Sequence, residues 1–254
     1  MISSETGSLS AKPAILRPQE VHVWKADLDM LAGWHEHAEQ LLSAAEGERV
    51  RQYVHVARAQ EFIVARAMLR TLLGLHLQVR PEAVHLETDS RGKPRLGAGQ
   101  VNSGLQFNLS HSRGSIACAV TRGRRVGVDV EYRRTGIDVE RLAGRFFAPA
   151  EFQQLMGLPQ AQRHEAFFAG WTRKEAFLKA CGQGLTGGLS RFVVQLRPGE
   201  DAALLSCDDP AEAARWRLAA LEWDPGYAAA VCAEVPLWEL RQGVWDPRTC
   251  SALS

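Results

Sequence analysis

The chain has 254 residues, 46% of them apolar, which is enough for one large or two small folded domains with a real core and excludes a disordered chain as the default. Thirty basic side chains against twenty-nine acidic ones leave a formal charge of +1, so no global field recruits nucleic acid or an anionic membrane, and any basic site must be local. The five cysteines are odd in number and never spaced C-x-x-C, which argues against both a disulfide framework and a zinc ribbon.

Residues 1–18 are rich in Ser, Gly and Ala and are expected to form a mobile arm; with no apolar run of membrane length, the expectation is a cytoplasmic protein. Val21–Leu28 alternates and predicts a half-buried strand. His35-Glu36-His37 lacks the spacing of a zinc helix and reads as surface. From Ala57 to Gln78, Phe62, Ala65, Met68, Leu69, Leu72 and Leu73 recur at helical spacing, and Pro81 ends the helix. Arg66 and Arg70 sit one turn apart on it. A short strand at Val84–Glu87 and a turn at Ser90-Arg91-Gly92-Lys93-Pro94 follow, the turn presenting Lys93. Strands Leu105–Leu109 and Ser115–Thr121 flank a loop, Ser110-His111-Ser112-Arg113-Gly114, whose N–H groups, hydroxyls and imidazole suit a phosphate. A serine hydrolase is a poor reading, because there is no G-x-S-x-G and Ser and His are contiguous.

Val126–Glu131 predicts a strand that projects Asp129 and Glu131 from one face and Val128 and Val130 from the other. Helices are expected near Asp138–Ala143, Pro149–Met156 and His164–Cys181, the last stopped by Gly182-Gln183-Gly184. Strands are expected near Arg191–Leu196, Trp216–Leu221 and Tyr227–Glu234. On helix His164–Cys181, Phe167, Trp171, Leu178 and Cys181 form an apolar stripe with Glu175 and Lys179 along its border. Taken alone, Asp129 and Glu131 are a solvated acidic face, and Glu175 with Lys179 an i,i+4 ion pair. Taken together they change meaning: three carboxylates and the ammonium groups of Lys174 and Lys179 are what a magnesium-assisted reaction at a phosphate ester requires.

In order, Gly92-Lys93-Pro94, Phe107-Asn108-Leu109-Ser110-His111-Ser112, Val126-Gly127-Val128-Asp129-Val130-Glu131 and Trp171-Thr172-Arg173-Lys174-Glu175-Ala176-Phe177-Leu178-Lys179 closely resemble the motif series of Sfp-type 4′-phosphopantetheinyl transferases. The resemblance implies an α+β fold of two similar α/β halves related by a pseudo-twofold axis, here 19–123 and 124–254, with the active site in the cleft between them. It implies transfer of the 4′-phosphopantetheine arm of coenzyme A to a serine of an apo acyl or peptidyl carrier protein, with release of adenosine 3′,5′-bisphosphate.

By position, Asp129, Glu131 and Glu175 would hold Mg²⁺, and Lys179 would neutralise a phosphate oxygen. Arg66, Lys93, Ser110 and His111 would bind coenzyme A, and Arg49 and Arg51 are further candidates for its 3′-phosphate. Glu175 stands either as the base for the carrier serine or as a metal ligand alone. The doubled length implies a monomer, and the pathway served (fatty acid, polyketide or nonribosomal peptide synthesis) stays open. A non-catalytic coenzyme A module or a carrier-binding scaffold is the competing class; the module would have lost one of the acidic ligands.

Overall fold

The computed structural model describes residues 16–31, 33–89, 92–182, 188–236 and 238–247. The chain divides into two compact units, one running to Gly123 and resuming at Trp238, the other Arg124–Leu237. The expected arm falls mainly outside the described residues, but its end is corrected: Leu16 is buried in the first unit's core, and Arg17 already bonds through its N–H to Glu20.

The first unit begins with strand β1 (Glu20–Asp27), then helices α1 (His35–Gln40), α2 (Ala44–Arg51) and α3 (Val56–Leu77). Hairpin β2 (Leu86–Thr88) and β3 (Pro94–Leu96) leads to β4 (Leu105–Ser112) and β5 (Ser115–Arg122). Ser43 and Glu46 start α2 with a reciprocal capping box. The helix α3 ends with Gln78 in the left-handed region, whose N–H returns to the carbonyls of the last turn. Val64, Met68, Leu69 and Leu72 of α3 pack with Trp24, Ile116, Cys118 and Val120 of the sheet.

The phosphate loop expected at 110–114 is shorter than the sequence implied. Arg113 at φ 46 and Gly114 at φ 85 make a two-residue turn of the kind that matches strand twist. The ladder therefore runs on to Ser112 opposite Ser115, and Ser110 and His111 are strand residues.

The second unit comprises β6 (Val126–Tyr132), α4 (Val139–Phe146), α5 (Pro149–Met156), α6 (Gln160–Cys181), β7 (Phe192–Val194), β8 (Leu204–Cys207), α7 (Pro210–Ala213), β9 (Trp216–Ala220) and β10 (Tyr227–Glu234). The sheet β6–β10–β9 is antiparallel, and α6 lies on it through Ala176, Phe177 and Ala180, packed with Ala230, Cys232 and Trp216. Burial extends well beyond the expected stripe, because α4, α5 and β7 cover much of the rest of α6. Its Gly182 end is left-handed at φ 74, whereas Gln183 and Gly184 lie outside the described residues.

Residues from Trp238 are also corrected. Strand β11 (Glu239–Val244) pairs in parallel with β1, giving the sheet order β11–β1–β5–β4, and Trp245 is buried in the first unit's core. The tail thus belongs with the first unit, not with residues 124–237, because β1 needs a second neighbour to satisfy its edge. Cys118, Cys181, Cys207 and Cys232 are all free thiols.

Candidate active site

Period-two alternation on β6 sets the site. Val128 and Val130 are buried on one face, while Gly127, Asp129 and Glu131 share the other. An added Cβ at Gly127 would stand 2.2 Å from the carbonyl oxygen of Ala176 and 2.4 Å from the N of Ala180, so only glycine lets the backbones of β6 and α6 touch here. That contact delivers Asp129 to the side of Lys179: Nζ donates to Asp129 Oδ1 at 2.7 Å and to the Val128 carbonyl at 3.2 Å.

Glu175 lies one turn before Lys179 on α6. Its Oε1 is buried and accepts no hydrogen bond among the described residues. Burial, then the neighbouring charge of Asp129, with Glu131 adding to it, pushes the Glu175 carboxyl up to about 7 against the pull of Lys179. The three acids and one ammonium picked from the sequence therefore share one electrostatic neighbourhood. Among the described residues no three His, Cys, Asp or Glu side chains are gathered tightly enough to grip an ion as they stand. The donor set still suits a hard divalent cation: it is all carboxylate, one oxygen is buried without a donor, and Lys179 lends Asp129 the positive charge a cation would otherwise supply.

Lys174 is corrected. Its ammonium is fully buried, donating to Glu151 Oε1 at 2.7 Å and to the Phe192 carbonyl at 2.6 Å, and so is withdrawn from any phosphate. Glu151, equally buried, also accepts from the N–H groups of Val194 and Ala148, both at 2.8 Å. Burial pulls the Lys174 ammonium down to about 8 and pushes the Glu151 carboxyl up, each partner restraining the other's shift. Of the two α6 ammonium groups, that of Lys179 is the one placed beside Asp129.

In the first unit, Arg66 and Arg70 turn to Glu46 at 3.7 and 2.8 Å. The guanidinium groups of Arg66 and Arg49 stand over the Phe62 ring at 5.1 and 5.3 Å. Burial, and then Arg49 and Arg70 as like charges, lowers the Arg66 pKa against the pull of Glu46. This cluster is rich in cation and poor in carboxylate, as an anion site should be. Arg51, by contrast, pairs with Glu48 on the surface of α2. His111 is exposed, and its Nδ1 lies 3.2 Å from Glu61 Oε2, while Glu61 Oε1 accepts from the N–H of Gly114 at 2.9 Å. Ser110 is buried in β4 opposite Ala117. Lys93 is half-buried after the turn, its N–H bonded to Asp89, whereas Ser90 and Arg91 lie outside the described residues.

Residues 125–232 match the sequence profile of the 4′-phosphopantetheinyl transferase superfamily, and residues 29–122 match that of the 4′-phosphopantetheinyl transferase N-terminal region. The chain is 38% identical to the 4′-phosphopantetheinyl transferase HetI of Nostoc over 88% of its length and 92% of that protein's. The chain belongs to the 4′-phosphopantetheinyl transferase superfamily. It is a transferase. It is also 32% identical to the 4′-phosphopantetheinyl transferase psf-1 of Bacillus pumilus, over 76% of this chain and 77% of that one. Identity to Sfp of Bacillus subtilis is 28%, over 77% of this chain and 83% of Sfp.

Three supporting residues of this phosphopantetheinyl transferase were missed from the sequence. Glu46 carried a visible signal, the S-x-x-E of a capping box at Ser43–Glu46. Glu61 and Glu151 carried none, since each acts on a residue far along the chain, His111 and Lys174.

Proposed function

We propose that this transferase moves the 4′-phosphopantetheine group of coenzyme A onto the serine hydroxyl of an apo acyl or peptidyl carrier protein, releasing adenosine 3′,5′-bisphosphate. The observation that carries the reading is Glu175: a carboxyl held near neutrality by burial and by Asp129, one turn from the Lys179 ammonium. A base whose pKa lies near working pH is the most effective proton acceptor for a neutral hydroxyl.

The serine oxygen attacks the phosphorus that carries pantetheine, its proton passes to Glu175, and the bond from that phosphorus to the bridging oxygen breaks. The bisphosphate leaves with the electron pair. Lys179 neutralises a phosphate oxygen as charge gathers on the leaving side. Arg66, Lys93, Ser110 and His111 bind coenzyme A, with His111 at its 3′-phosphate and Arg49 assisting. Asp129, Glu131 and Glu175 would hold Mg²⁺, which when bound screens the pyrophosphate charge. The protein acts as a monomer in the cytoplasm.

The test is to incubate the protein with an apo-carrier, coenzyme A and Mg²⁺ and weigh the intact carrier. A gain of one phosphopantetheine that disappears with chelator is expected. An unmodified carrier across acyl and peptidyl types would overturn the proposal.

A further inference from the structure

On the second unit a cavity of about 210 Å³ opens between α6 and the loop after β7, over the start of β10. Ala166, Ala169 and Ala228 are among its apolar lining, and its polar side chains are the guanidinium groups of Arg133, Arg173 and Arg197 together with Glu165, Thr172 and Tyr227. At its edge Arg133 faces Glu165 at 3.3 Å and Arg197 faces Glu200 at 3.7 Å. Arg173 is different. It is only 6% exposed, one N–H donates to the Gln195 carbonyl, and no carboxylate bonds to it among the described residues. Burial alone accounts for the lowering of its pKa, with no acidic group acting against it.

A guanidinium carries five N–H donors in a planar fork, and a buried charge is stable when it is paired. Arg173 lines a space that can hold a counter-ion and lacks one of its own. The neighbouring Thr172 hydroxyl is spent on the carbonyls of Phe168 and Ala169. We propose that this cavity is a binding site for a small oxyanion, a phosphate or a short-chain carboxylate, received by the fork of Arg173 with Arg133 and Arg197 at the mouth. The space suits inorganic phosphate or a carboxylate with a short apolar stem.

The site is separate from the transfer site. None of Asp129, Glu131, Glu175 or Lys179 lines it, and two residues on a helix turn Arg173 about 200° away from Glu175.

The test titrates the full chain with inorganic phosphate and, separately, with acetate at fixed ionic strength, using no coenzyme A and no carrier. Its readouts are the melting temperature and the Arg173 Nε–Hε NMR signal, assigned by its loss in Arg173→Met. A saturable shift of that signal and a saturable rise in melting temperature are expected. Arg173→Met should weaken the response about tenfold or more, since a charge-assisted bidentate pair is lost. Should Arg173→Met not fold, Arg173→Lys, which keeps the charge and loses the fork, serves with Arg197→Ala, and both should weaken binding. Because phosphate also meets the cations around Arg66, Arg66→Ala is the control and should leave the Arg173 signal shifting as before. Response to phosphate alone assigns a phosphate site; response to acetate as well assigns the wider oxyanion class. An Arg173 signal unmoved by either anion across the millimolar range, or a thermal response unchanged in the Arg173 variants, would sink the proposal and leave the transferase reading untouched.

Discussion

Lys174→Met isolates what the buried pair that ties α6 to α5 contributes. Both partners are fully buried, and the ammonium makes two short bonds, to Glu151 and to the Phe192 carbonyl. Removing one member of such a pair costs about 3–5 kcal/mol, because the other charge stays buried. Glu151 limits the loss by taking up a proton, for burial already raises its pKa and Lys174 is the largest influence lowering it. The expected cost is therefore at the low end, about 3 kcal/mol, or about 6–12 °C in melting temperature for a chain of this size.

The sign of the pH dependence follows. In the variant Glu151 has a folded-state pKa raised above the unfolded one by burial, so the protonated fold is favoured at low pH and loses stability as pH rises. The deficit relative to wild type should be larger at pH 8 than at pH 5. Adding Glu151→Gln should recover part of it, since an amide keeps an acceptor for the N–H groups of Val194 and Ala148 without a charge. Thermal unfolding followed by circular dichroism measures all of this. A single variant melting within about 2 °C of wild type at pH 8 would refute the pair's structural role.

Glu175→Gln should abolish transfer and yet raise the melting temperature above pH 7. The wild-type carboxyl, held at about 7 against an ordinary 4.5, costs folded stability as pH rises through that window, whereas near pH 4 both proteins carry a neutral group and should melt alike. A wild type more stable than the variant at pH 8, measured without divalent metal, would contradict the burial argument. Gly127→Ala places a methyl against the backbone of α6 and should cost about 1–3 kcal/mol, with transfer falling further than the folded fraction, read by comparing melting curves with carrier-loading rates. Glu61→Gln weakens the hold on His111 and should raise the KM for coenzyme A with little change in kcat; an unaltered KM across pH 6–8 would confine Glu61 to the turn at Gly114.

The carboxylates were legible because strand and helix periodicities are local: two residues along β6 and four along α6 put Asp129, Glu131, Glu175 and Lys179 on predictable faces. The meeting of those faces was expected from the resemblance and not from periodicity, since it hangs on the absence of a side chain at Gly127. Lys174 misled for a related reason: a lysine in a motif looks solvated until β7 and α5 close over it. The Ser110–His111 loop was overdrawn because small polar residues read as turn, whereas Arg113 and Gly114 turn the chain in two residues. The strand β11 escaped notice because its partner lies more than two hundred positions earlier in the chain.

That long-range pairing orders events during synthesis. The ribosome makes β1 before, and β11 after, the whole of the second unit. Until the last strand emerges, one flank of β1 has exposed hydrogen-bonding groups, and Trp245 is missing from beside Trp34. The second unit, whose strands are contiguous, has every partner it needs first, so the portion translated first is the portion completed last.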